Sequence, residues 1–132
     1  MKLLVVCRLY NQQVIPFISE QVNSIQELGV DVEWVYVRRG GLLGYFHLWK
    51  DIRKTLTRFE PEVIHAHYGL CGLIANLQRK IPVVTTFPGS DINNRWVRSI
   101  SVIAMRLSKY NIFMCTRQFN LVKRFAVRYH CH

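Results

Sequence analysis

Residues 2–7 form a short, unbroken apolar run, the pattern of a strand buried on both faces. A polar stretch at 8–13 follows. Ile15, Ile18, Val22 and Ile25 then recur at helical spacing, with Ser19, Glu20, Asn23 and Glu27 between them. Pro16 suits a first helical turn and Gly29 a stop. Residues 30–37 alternate and are rich in Val, Trp and Tyr, so they read as a second strand. After the loop Arg38-Arg39-Gly40-Gly41, a second helix is predicted over about 45–58. Its inner stripe is expected to carry Phe46, Trp49, Ile52, Leu56 and Phe59. Pro61 separates it from a strand at 62–65.

The pattern continues with a helix at 70–79, a strand of Val and Thr at 82–87, a helix at 94–108 and a strand at 111–115. A last helix is predicted at 116–128. About five strands therefore alternate with helices, which predicts an α/β fold: a parallel sheet with helices on both faces. In such sheets ligands bind beyond the carboxyl ends of the strands. The segments 8–13, 65–69, 88–94 and 115–117 are expected to share that rim.

The chain has 132 residues, enough for one domain with a real core. Half of the residues are apolar, which excludes a disordered tail. No apolar run approaches the roughly 18 residues of a membrane span. The opening run stops at Arg8, too early for a signal peptide, so a cytoplasmic location is expected. Cys7, Cys71, Cys115 and Cys131 are scattered, which suits reduced packing thiols. The net charge is +10, and residues 67–132 carry nearly all of it, with Asp91 as their one acid. That imbalance suggests an anionic partner.

Two loops have chemistry to offer. In Pro88-Gly89-Ser90-Asp91-Ile92-Asn93-Asn94, Gly89 lets a ligand approach the backbone, and Ser90, Asp91 or Asn93 can cap the next helix. The loop reads either as a plain helix cap or as a site for a phosphate or a sugar hydroxyl. In His65-Ala66-His67-Tyr68-Gly69, alternation puts both histidines on one side of a strand, with His67 nearer the rim. His67 can bond a substrate or move a proton; the alternative is that His65 packs under a helix and His67 closes a loop. The two histidines with Cys71 lack a fourth ligand, so no metal is expected. His130-Cys131-His132 reads as a frayed terminus.

On the predicted helix near 94–109, Arg95, Arg98, Arg106 and Lys109 share one face. Trp96, Ile100, Ile103, Ala104 and Leu107 take the opposite one. The helix can pack inward and still offer a basic face to anionic lipid. Neither Gly-x-Gly-x-x-Gly, Gly-x-x-x-x-Gly-Lys-Ser/Thr nor Gly-x-Ser-x-Gly occurs in the expected settings, which disfavours dinucleotide oxidoreductases, P-loop NTPases and α/β-hydrolases. No ribonucleoprotein signature occurs, so nucleic-acid binding rests on charge alone.

Four stretches carry a resemblance: Lys2-Leu3-Leu4-Val5-Val6, Pro16-Phe17-Ile18-Ser19-Glu20-Gln21, Glu62-Val63-Ile64-His65-Ala66-His67-Tyr68-Gly69, and the run from Val83 through Gly89-Ser90-Asp91 to Asn94. In this order they resemble the N-terminal, Rossmann-like domain of GT-B glycosyltransferases of family 4. The resemblance implies a retaining transferase that moves a sugar from a nucleotide-sugar donor to a glycan or lipid-linked acceptor, often in polysaccharide biosynthesis. It implies an acceptor-side domain here, with the donor held mainly by a second, C-terminal domain that this chain lacks. It also implies contact with an anionic membrane, placing the protein at the inner membrane face. By matching position, His67, Tyr68, Gly89, Ser90 and Asp91 are the expected substrate-binding residues. Arg8 is a weaker phosphate ligand, and Arg95, Arg98, Arg106 and Lys109 are the membrane-facing set.

The sequence departs from that family in two loops. Pro88 stands where the family usually has the His of His-Gly-Ser-Asp, and proline has no side-chain donor. Residues 8–13 have no glycine where the family usually has one near the donor phosphates. No residue is therefore assigned as catalytic, no cofactor is expected, and the chain is expected to be inactive alone, with a separate C-terminal half as a candidate partner. The competing class is a non-enzymatic basic binding module for nucleic acid or a protein partner.

Overall fold

The computed structural model describes residues 1–9, 13–37, 41–87, 95–113, 120 and 129–131; for 41–42, 95–98 and 129–131 it describes the backbone alone. The elements run β1 (Lys2–Arg8), α1 (Pro16–Glu27), β2 (Asp31–Val37), α2 (Gly41–Phe59), β3 (Val63–His67), α3 (Gly69–Asn76), β4 (Val83–Phe87), α4 (Arg95–Leu107), β5 (Tyr110–Phe113) and β6 (Tyr129–Cys131). The strands form one sheet in the order β2-β1-β3-β4-β5-β6, and every pairing is parallel. This is the expected Rossmann-like arrangement, extended by one strand.

Each sheet face has its own apolar cluster. Leu4, Val6, Val35, Val37, Ile64, Ala66 and Val83 pack beneath α2 and α3. Leu3, Val5 and Cys7 alternate to the other face, where Ile18 and Val22 of α1 cover them. Pro16 opens α1, and Gly29, at φ +91°, follows its end as expected. No helix among the described residues is long and apolar enough to cross a membrane.

Four expectations need correction. The chain end is not frayed through His130 and Cys131: both lie in β6, paired with Ile112 and Phe113. The third strand runs on to His67, because its alternation continues past residue 65. On α2 the expected Ile52 and Leu56 do face the core, joined there by Leu48 and Thr55, whereas Phe46 is exposed. On α4 Ala104 is buried as expected, together with Ser101 and Met105, while Ile103 is 51% exposed. The reason is the neighbour. The helix lies against α3, where Gly69 comes so close to Ser101 that only a small side chain fits at that point. That close approach puts a serine on the inner side of the helix. The predicted helix at 116–128 lies outside the described residues, apart from Asn120.

Candidate functional site

β1, β3 and β4 end side by side at the carboxyl rim, with Arg8, His67 and Phe87 as their last residues. Ile64 and Ala66 point to the α2–α3 face, so His65 and His67 point to the other. Their rings lie 4.3 Å apart, which meets the expectation that the two share a side. Both are buried.

The two imidazoles differ in what they touch. His65 Nε2 and the Thr86 hydroxyl share a hydrogen bond of 2.8 Å. His67 is 3% exposed, and its Nε2 has no hydrogen-bond partner among the described residues. Burial pushes the pKa of His65 down to about 4. Burial, with the charge of His65 as a second cause, pushes that of His67 down to about 3. Both rings are therefore neutral near pH 7. A neutral imidazole offers one donor or one acceptor and no charge, which suits a hydroxyl better than a phosphate.

Tyr68 follows at φ +81° and ψ 149°, a conformation that is essentially glycine's own. Two backbone bonds hold it there. Its N–H donates to the Thr86 carbonyl at 3.0 Å, and its own carbonyl accepts from Gly72 N–H at 3.0 Å. The strained residue turns the chain sharply from β3 into α3. Beneath that helix, a Cβ on Gly72 would come within 2.7 Å of the Thr85 side chain. The rim is thus fixed from below by close backbone packing.

The structure places His67, Tyr68 and Arg8 on one rim, with Arg8 exposed. Gly89, Ser90 and Asp91 lie outside the described residues, as does Pro88. β4 ends at Phe87, next to β3 on that same rim. Arg106 and Lys109 are exposed, whereas the side chains of Arg95 and Arg98 are outside the description. Thr86 is a rim residue that motif reading missed. Its signal was register: in parallel pairing it sits opposite His67. Cys7 and Cys71 are buried free thiols, and burial pushes Cys7 up to about 12. Among the described residues, no group of three or more His, Cys, Asp or Glu could hold a metal ion.

The family profile described as glycosyl transferase 4-like matches residues 8–124. The chain belongs to that family. It is a glycosyl transferase-type domain. A search of the curated proteins found no match. Among solved structures, the UDP-GlcNAc 2-epimerase of Methanocaldococcus jannaschii is similar in fold. One structure of it has a TM-score of 0.72 at 16% identity, covering 94% of this chain and 42% of that one. A second, in complex with UDP-GlcNAc and UDP, has a TM-score of 0.74 at 14% identity, covering 99% of this chain and 46% of that one. This glycosyl transferase 4-like chain thus spans less than half the length of those neighbours.

Proposed function

We propose that this domain forms the acceptor side of a retaining glycosyltransferase, with His67 and Tyr68 at the carboxyl rim as its sugar-facing residues. The observation that carries the reading is His67 Nε2, buried yet without a partner among the described residues. An unmet polar atom of that kind is costly in a folded protein and is retained where a ligand satisfies it. The strained backbone of Tyr68 beside it is the second sign of a site. Gly89, Ser90 and Asp91 complete the substrate side in this reading, and Arg8 meets phosphate.

The donor class is a nucleotide sugar, by likeness to the neighbour whose structure holds UDP-GlcNAc and UDP. Most donor contacts come from a second domain outside this stretch of chain, so the 132 residues alone bind sugar but do not transfer it. Family membership favours this reading over a basic module for nucleic acid or a protein partner. Calorimetric titration of the domain with UDP-GlcNAc and a panel of oligosaccharides tests it. The expected result is saccharide binding that His67→Leu abolishes while the fold is kept. Equal binding by that variant would remove His67 from the site, and sugar transfer by the isolated chain at enzyme-typical rates would overturn the assigned division of labour.

A second reading concerns α4. Ile103 is exposed on a helix that also exposes Arg106, so this surface offers both apolar and cationic groups to an anionic membrane. Each basic residue near such a surface contributes roughly 1 kcal/mol. Vesicle binding that survives Arg95, Arg98 and Arg106 all changed to Gln would dismiss it.

A further inference from the structure

The sheet has a second edge, where the strands begin, and its chemistry is unlike the rim's. There the chain leaves α3, turns through residues 77–82 and enters β4. Lys109, just past the end of α4, donates its backbone N–H to the Val83 carbonyl at 2.8 Å. Between the turn and the end of α4 lies a cleft of about 410 Å³, lined by Asn76, Arg79, Lys80, Pro82, Leu107 and Lys109 among others. That volume is in the range of small-ligand sites, roughly 300–1,000 Å³. The lining holds three cationic residues and no carboxylate.

We propose that this cleft is a phosphate-binding site, with Arg79, Lys80 and Lys109 as its cationic ligands. It is separate from the sugar-facing rim and does not depend on that assignment.

The turn is built to hold its shape. Gln78 Oε1 accepts both the Lys80 and the Ile81 backbone N–H, each at 2.8 Å, and its amide group donates to the Ile81 carbonyl at 2.7 Å. Inside this brace Arg79 sits at φ +58°. That left-handed conformation is glycine's or asparagine's preference and is uncommon for a long side chain. A glycine would relieve the strain but would remove the guanidinium from the cleft. Strain retained in a braced turn, at a residue whose side chain lines a cleft, marks a functional position. Arginine adds bidentate geometry for phosphate oxygens. Gln78 already occupies the Lys80 and Ile81 backbone N–H groups, so recognition here rests on side-chain charge.

The test titrates inorganic pyrophosphate into the protein at low salt, read by calorimetry and by amide chemical shifts. Saturable binding is expected, centred on residues 79, 80 and 109 and weakening as salt rises. Arg79→Gly and Lys109→Gln should each weaken it at least fivefold. Lys50→Gln removes the same charge from α2 and should leave it unchanged. Arg79→Gly should not lower the melting temperature, because it relieves backbone strain, so its loss of binding cannot be ascribed to unfolding. Absence of saturable binding, equal binding by Arg79→Gly, or equal loss in Lys50→Gln would each overturn the proposal. A parallel arm uses phosphatidate vesicles. Vesicle binding that needs Arg79 and is displaced by pyrophosphate assigns the phosphate to a lipid headgroup. Vesicle binding indifferent to Arg79, beside Arg79-dependent pyrophosphate binding, assigns it to a soluble phosphate compound.

Discussion

The two ends of the strands solve the problem of holding a polar group in opposite ways. At the carboxyl rim the two histidines are buried and neutral: His65 is paired with Thr86, and His67 has a nitrogen unmet among the described residues. At the amino edge they are exposed, charged and gathered: Arg79, Lys80 and Lys109 stand in one cleft. The first arrangement selects by hydrogen-bond geometry and is insensitive to salt. The second attracts by charge and is screened within about 10 Å at 0.1 M salt. Each edge has a strained residue at its turn, Tyr68 at one and Arg79 at the other. α3 joins the two turns, so one short helix spans both sites.

Acid should separate the edges most sharply. An unfolded histidine titrates near 6.5, while the folded pKa values of His65 and His67 are lowered to about 4 and about 3. Between those limits the unfolded chain binds more protons than the folded one. Stability therefore falls as pH drops from 6.5 toward 4, by up to roughly 1.4 kcal/mol per pH unit for each histidine. Denaturation midpoints measured from pH 7.5 to 4 should show this slope, and His67→Leu should reduce it. Lys109→Gln, at the other edge, should leave the slope as it is. A slope unchanged in His67→Leu would mean that His67 does not contribute to the acid sensitivity of the rim.

Next in size is the joint between the edges. A Cβ at Gly69 would lie 2.9 Å from Ser101 Cβ and 3.0 Å from its Cα. Backbone must move to admit it, because the close neighbour includes Cα. Gly69→Ala should cost about 1–3 kcal/mol of stability in chemical denaturation, the range for overpacking. If the comparison is right, both edges lose binding together in this variant, since α3 carries both turns.

How far the sequence foretold these edges depended on what each signal encodes. Alternation of Val, Ile and Thr with helical spacing was enough to predict a parallel sheet between helices, because burial on one face and then the other dictates that period. It failed on α4, where periodicity chose Ile103 for the inside. Gly69 on a different helix sets the close approach at Ser101, and that contact is invisible to a pattern read along one segment. The His-Ala-His alternation correctly put two imidazoles on one side, yet the backbone strain at Tyr68 had no local marker. β6 was missed because three residues at the chain's end carry too short a pattern, and their pairing with β5 is what defines them. The amino-edge cleft was missed for another reason. Arg79, Lys80 and Lys109 are thirty positions apart in two groups, and they meet only because β4 and β5 are neighbours.

Gln78→Ala probes the amino edge alone. It removes three hydrogen bonds that brace a partly exposed turn, so a loss of about 1–2 kcal/mol is expected. Pyrophosphate binding should weaken with it, while saccharide binding at the rim should not change. Loss at both edges would show that the turn and the rim are less independent than their separation in the fold implies.

The smallest expected effect on stability is also the most telling. Removing a hydrogen-bonded buried group usually destabilises, because its partner is left unmet. His67 Nε2 leaves no partner behind among the described residues. Its replacement by leucine, of similar bulk and without a polar atom, should change stability at pH 7 by no more than about 1 kcal/mol, toward greater stability. His65→Leu is the matched contrast, since it strips the Thr86 hydroxyl of its 2.8 Å partner and should destabilise. Chemical denaturation of the two variants side by side reads the difference directly. Equal losses would mean that His67 holds the fold as His65 does, and the rim would then have no unmet nitrogen to offer a sugar.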